Sequence, residues 1–144
     1  MKICIINGPN LNLLGTRETE IYGSKDFEAF YEDLKSEYPN IAFEYFQSNI
    51  EGEIIDHLQK EGFSADGILL NAAAYTHTSI AIHDAFKSFT GYKIELHISN
   101  PHLRESFRRV TFVAPAADAV VADLGTDGYS HVIDLLLELP IKVN

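Results

Sequence analysis

The sequence predicts an α/β protein: a flavodoxin-like, doubly wound, five-stranded parallel sheet with helices on both faces. Three observations carry this expectation. Five segments of strand length alternate with segments whose apolar residues recur at helical spacing. The first run, Ile3 to Ile6, is continuously apolar, as a strand buried on both faces should be. The chain has 144 residues, 46% hydrophobic and 22% charged, which suits one soluble domain with one good core. Residues 1–144 are therefore expected to form a single domain.

The elements follow in order. After Ile3–Ile6, Ser24 is a candidate helix cap, and Phe27, Phe30, Tyr31 and Leu34 repeat on one helical face. Pro39 and Asn40 break that pattern, and Ile41 to Phe46 reads as the second strand. Ile50, Ile54, Ile55 and Leu58 mark a second amphipathic helix that ends at Gly62. Gly67 to Leu70 is the third strand. Ser79 to Phe89 is helical, capped by Thr78 or Ser79. Lys93 to Ile98 and Ala119 to Ala122 complete the strands, and Gly128 to Leu139 forms an apolar last helix. Gly8 to Gly23 is a long irregular segment directly after the first strand, and such loops in compact domains usually serve function.

Composition excludes several classes. A formal net charge of −10 argues against a general nucleic-acid binder. No apolar run approaches the roughly 20 residues of a membrane span, and the start of the chain is too polar for a secretion signal, so the expected location is cytoplasmic. The lone Cys4 makes neither an internal disulfide nor a cysteine-rich metal site, and it reads as a buried core residue. No His-Glu-x-x-His spacing is present and the acids do not cluster with histidines, so no metal is expected. Gly8-Pro9-Asn10 lacks a dinucleotide or P-loop pattern, and no cofactor is expected either.

In open parallel sheets, ligands bind beyond the carboxyl ends of the strands. Those ends here deliver Asn7 and Asn10, Gln47-Ser48-Asn49, Asn71 with Thr76-His77-Thr78-Ser79, and His97 with Ser99-Asn100-Pro101-His102. Amides, hydroxyls and histidines on one rim suit a polyhydroxylated ligand. Arg104, Arg108 and Arg109 crowd within six positions, and an arginine fork suits an anion. His57 and His131 read as helix-surface residues, His83 lies on a helix, and Tyr75 reads as packing.

Two pairs point to acid–base chemistry. Arg17 and Tyr22 share the long loop. A phenol with an ordinary pKa of about 10 is a poor base, and a nearby guanidinium favours its ionised form. Glu95 and His97 stand two apart on a strand and so share a face, where the acid can orient the imidazole. A loop base and a strand-end acid suit proton abstraction followed by loss of water.

At these residues the sequence closely resembles the type II 3-dehydroquinate dehydratases. The motifs are Asn7-Gly8-Pro9-Asn10-Leu11-Asn12-Leu13-Leu14-Gly15-Thr16-Arg17-Glu18, Ile21-Tyr22-Gly23, Phe46-Gln47-Ser48-Asn49 with Glu51-Gly52, and Thr76-His77-Thr78-Ser79. Glu95-Leu96-His97-Ile98-Ser99-Asn100, Arg104-Glu105-x-Phe107-Arg108 and Gly125-x-x-Gly128-Tyr129 follow, so the match runs to about Leu137. The resemblance implies elimination of water from 3-dehydroquinate to give 3-dehydroshikimate, through an enolate, with neither imine nor metal. It implies that Tyr22 is the base, that Arg17 keeps it ionised, and that both ride on a lid. Asn10 would hold a water that stabilises the enolate. His97, supported by Glu95, would protonate the departing hydroxyl. Asn71, with the backbone of Ile98 and Ser99, would bind the substrate carboxylate. His77 and Arg108 would bind ring hydroxyls, and Arg104 would help the lid close. Asp84 would reach the site of a neighbouring subunit, in trimers that assemble into a dodecamer.

The chain departs from the family pattern at Thr19, where proline is frequent, and at Ala72-Ala73, where Pro-Gly or Ala-Gly is frequent. His83 replaces a common arginine and Val110 a common histidine. Alanine resists positive φ, which leaves the loop geometry beside Asn71 open. Two other readings of the sequence are a flavodoxin-like binding module and an inactive homologue kept for assembly.

Overall fold

A computed structural model describes residues 1–16 and 25–142. Its sheet is formed by β1 (Lys2–Asn7), β2 (Ala42–Gln47), β3 (Gly67–Asn71), β4 (Tyr92–His97) and β5 (Ala119–Ala122). The strands are ordered β2-β1-β3-β4-β5, and every neighbouring pair is parallel. Among the described residues the α-helices are α1 (Phe27–Glu37), α2 (Glu51–Glu61), α3 (Ile80–Lys87) and α4 (Asp127–Glu138). This is the flavodoxin-like strand order, with its reversal point between β1 and β3.

Side chains alternate across a strand, and β1 shows how this builds two cores. Ile3 and Ile5 face one layer, where Phe27, Phe30 and Leu34 of α1 meet Tyr129, Val132, Ile133 and Leu136 of α4. Cys4 and Ile6 face the other, against Ile54 and Leu58 of α2 and Ile82 and Phe86 of α3. The apolar residues expected on α1 and α2 are packed, except Ile50, which caps α2 from outside the helix and is exposed. Cys4 is fully buried, and its thiol is pushed up to about 12, chiefly by that burial, which keeps it an unreactive core group.

Several local expectations need correction. The cap of α1 is Asp26, whose carboxylate accepts from the Ala29 amide at 2.7 Å; Ser24 lies outside the described residues. β2 and β4 are each displaced by one residue from the expected strands, because ladder pairing continues through Gln47 and begins at Tyr92. α3 is shorter than expected: Ser79 is its cap, accepting from the Ile82 amide at 2.9 Å, and the helix stops at Lys87. His57 is not a surface group. Its ring stacks on Phe46 at 4.2 Å, only about a tenth of the side chain is exposed, and desolvation lowers its pKa. His131 is exposed, as expected.

Register brings the rim together. Asn7 stands level with Gln47 on one side and Asn71 on the other, so three amides end three adjacent strands. Gly8 follows at a point of close approach. A Cβ on it would lie 2.6 Å from the Ala72 carbonyl oxygen, and its amide donates to the Asn71 carbonyl at 2.7 Å. Only glycine fits between these two turns.

Candidate active site

A cavity of about 760 Å³, measured to its open mouth, lies beyond the carboxyl ends of β1, β3 and β4. Of the residues singled out from the sequence, Asn10, Asn71, His77 and His97 line it. Ile98, Ser99, Arg104 and Arg108 line it as well. Eight of the expected positions thus converge, although they come from four separate stretches of chain. Arg17 and Tyr22 lie outside the described residues. Asp84 is exposed on α3 and does not line this cavity.

Glu95 sits behind His97 and is completely buried. Its Oε1 accepts from His97 Nε2 at 3.0 Å, from Thr111 Oγ1 at 2.9 Å, and from Thr76 Oγ1 in a short contact. Burial works to raise its pKa, but the hydrogen bonds and the imidazole together hold it below the ordinary carboxylate range. The carboxylate can only accept, so Nε2 of His97 carries a proton. Nδ1 is then the ring nitrogen left for a ligand. Sequence spacing placed Glu95 and His97 on one face; it gave no sign of Thr111, which is 16 residues further along.

His77 is held in a similar way. Its Nδ1 lies 2.7 Å from the Val110 carbonyl oxygen, which can only accept, so Nδ1 carries the proton and Nε2 is left for other partners. Arg104 and Arg108 enter from the short helical turns that follow β4. Glu105 anchors them: Arg108 Nε donates to it at 2.7 Å, and Arg104 Nε stands 3.8 Å away. Two guanidiniums and two histidines therefore border one cavity in a chain whose overall charge is −10. That local sign favours an anion.

The loops after β1 and β3 supply the remaining wall. Asn10 takes a left-handed backbone (φ 69°), a conformation asparagine tolerates, and its amide donates to Asn49 Oδ1 at 2.9 Å. Ala73 also takes positive φ, 51°, while Ala72 stays right-handed. Alanine thus accepts the left-handed turn that glycine would make without strain. Asn71 Oδ1 accepts from the Ala73 amide at 3.2 Å and stabilises this turn. Composition did not reveal the apolar part of the wall, which includes Leu11, Leu13, Leu14 and Pro101. Leu11 and Leu14 are buried by the short helical turn Leu11–Leu13, which anchors the long loop. Tyr75 does not line the cavity; its hydroxyl donates to the Asn49 carbonyl at 2.9 Å. Among the described residues, no three His, Cys, Asp or Glu side chains are grouped as a metal site would need.

Comparison with known proteins gives a consistent result. The family profile described as Dehydroquinase class II matches residues 1–137. The 3-dehydroquinate dehydratase of Clostridium beijerinckii is 50% identical over 139 residues, covering 94% of this chain and 95% of that protein. The protein of the same name from Fusobacterium nucleatum is 48% identical, covering 96% of this chain and 97% of the other. The crystal structure of type II dehydroquinase from Butyrivibrio crossotus superposes with a TM-score of 0.91 at 44% identity, covering 96% of this chain and 98% of that one. With its strand order, its rim and these matches over nearly the full length, the chain belongs to the class II dehydroquinase family.

Proposed function

We propose that this chain is a 3-dehydroquinate dehydratase that removes water from 3-dehydroquinate to give 3-dehydroshikimate. The observation that carries the reading is the Glu95–His97 pair, whose imidazole lines a cavity also bordered by Arg104, Arg108 and His77. An acid oriented by a buried carboxylate, facing an anion-favouring cavity, is what the loss of a ring hydroxyl requires.

The proposed sequence of events is as follows. The Tyr22 phenolate, kept ionised by Arg17, takes a proton from the carbon beside the ketone. The electron pair moves onto the carbonyl oxygen as an enolate, which a water held by Asn10 stabilises. The enolate then collapses, the carbon–oxygen bond to the hydroxyl breaks, and His97 supplies the proton that makes the leaving group water. Asn71 with the Ile98 and Ser99 backbone holds the carboxylate, while His77 and Arg108 hold ring hydroxyls. Arg104 assists closure of the loop that carries Arg17 and Tyr22. No metal, cofactor or lysine imine takes part. We further infer a single catalytic domain in the cytoplasm, assembled as trimers within a dodecamer, with Asp84 contributing to a neighbouring site. Among the described residues no helix is long and apolar enough to cross a membrane.

The test is the growth of ultraviolet absorbance from the conjugated enone when purified protein meets 3-dehydroquinate with chelator present and no cofactor added. A rise supports the reading. A flat trace from folded protein would reduce the site to a binding site.

A further inference from the structure

Thr111 lies on the chain between the second short turn after β4 (Ser106–Arg109) and a third one (Ala114–Ala116). Its hydroxyl has one proton to give and two lone pairs to fill. The lone pairs are met by the amides of Val113, at 3.2 Å, and Ala114, at 3.1 Å. The single proton is then directed to Glu95 Oε1, 2.9 Å away. Thr76 Oγ1 lies 3.1 Å from Thr111 Oγ1 and reaches the same carboxylate oxygen. Because the Thr111 hydroxyl is fully committed, the Thr76 proton also goes to Glu95. Three donors, including His97 Nε2, thus meet on one oxygen of a buried carboxylate, while Oε2 has no hydrogen-bond partner among the described residues.

The same short stretch is clamped on both sides of Thr111. The Val110 carbonyl holds His77 Nδ1 at 2.7 Å. The Phe112 amide donates to the Thr76 carbonyl at 2.7 Å, and the Phe112 carbonyl meets His83 Nδ1 at 2.7 Å. One segment therefore sets both the carboxylate behind His97 and the orientation of His77 in the cavity wall.

We propose that Thr111 is a positioning residue: its amide-locked hydroxyl holds Glu95 as an oriented carboxylate behind His97. This deepens the dehydratase reading and rests on it for the kinetic consequence. The groups that face Glu95 are His97 on its own strand, Thr76 from the turn after β3, and Thr111. Arg104, Arg108 and His77 border the same cavity as His97. Fewer donors on Oε1 favour the protonated acid, and a neutral Glu95 no longer supports an imidazolium at His97.

The experiment compares Thr111→Val, Thr111→Cys and Thr111→Ser in the full chain. Two quantities are read: the titration midpoint of the Glu95 carboxyl carbon by NMR without substrate, and kcat and KM with 3-dehydroquinate. In Thr111→Val the midpoint is expected to rise by about one pH unit, the effect of losing one hydrogen bond to a charged acceptor. kcat is expected to fall about tenfold with KM within about twofold. Thr111→Cys, a weaker donor of similar size, should fall between, and Thr111→Ser should restore both readings. If Thr111→Val does not fold, the order of Ser and Cys decides. An unmoved Glu95 midpoint in the Val or Cys variant overturns the inference, even if kcat falls, because a purely structural role predicts that result. If the wild type shows no turnover, the dehydratase reading fails, and the NMR titration still tests the hydroxyl's hold on Glu95.

Discussion

The phenol of Tyr129 in α4 donates a 2.7 Å hydrogen bond to Oδ1 of Asn7 at the end of β1, joining residues 122 positions apart. Both side chains are completely buried. The bond ties the last helix to the strand end from which the Gly8–Asn10 loop enters the site. Burial also pushes the Tyr129 hydroxyl well above the ordinary phenol range, which keeps it a donor.

Replacing Tyr129 by Phe keeps the ring among Phe27 and Phe30 and removes only the donor. The orphaned Asn7 oxygen is then expected to cost about 1–3 kcal/mol of stability. Urea unfolding followed by circular dichroism measures this. An unchanged midpoint would mean that Asn7 finds another partner at no cost.

Ala73 holds φ 51° beside Asn71. Relief of left-handed strain in Ala73→Gly outweighs the added freedom of the unfolded chain, for a net gain of roughly 0.5 kcal/mol. Ala73→Val, β-branched in the same conformation, should lose about 2 kcal/mol or more. Paired urea midpoints test both signs. A stabilising valine would contradict the strain argument.

Glu61 accepts from Lys2 Nζ at 2.8 Å and lies 2.9 Å from Lys60 Nζ; these contacts lower its pKa from 4.5 to about 2. Because the folded value lies below the unfolded one, the ionised pair stabilises the protein above about pH 4.5. That contribution fades as pH falls towards 2. Glu61→Gln is therefore expected to flatten the loss of stability over this window while changing little between its own neutral-pH and pH 5 values. Thermal unfolding across pH shows the difference, and parallel curves for the two proteins would rule the linkage out.

Tyr22→Phe should lower kcat by about 10²–10⁴ with little change in KM, since only the proposed base is lost. Steady-state kinetics decide it. A variant retaining most of its kcat would remove Tyr22 from that role.

Borohydride added with substrate is expected to leave the protein active and unlabelled, because no lysine stands in a motif position. Irreversible labelling of a lysine would indicate an imine route instead.

Much of the fold was legible because its signals are local. Apolar runs in β1 and β3 and helical spacing in α1 and α2 report burial directly, and burial is what makes those segments strands and helices. Element ends were less legible. Asp26 caps α1 because a cap is defined by which side-chain oxygen reaches the third amide, a matter of one or two residues that spacing does not fix. His57 misled for a related reason: its place on α2 was visible, but its cover is Phe46 on the neighbouring edge strand.

By itself, the sequence determined the alternation of strands and helices, the rim of Asn, His and Ser at the strand ends, and the shared face of Glu95 and His97. Each of these follows from side-chain periodicity or spacing along the chain. Only the tertiary structure decided that Arg104 and Arg108 border the same cavity as Asn10 and Asn71. It alone brought Thr76 and Thr111 onto Glu95, and it alone forced Ala73 into a left-handed turn. These depend on how loops from different strands meet at one edge of the sheet, and that is set by strand order and register, not by the spacing of residues within any one segment.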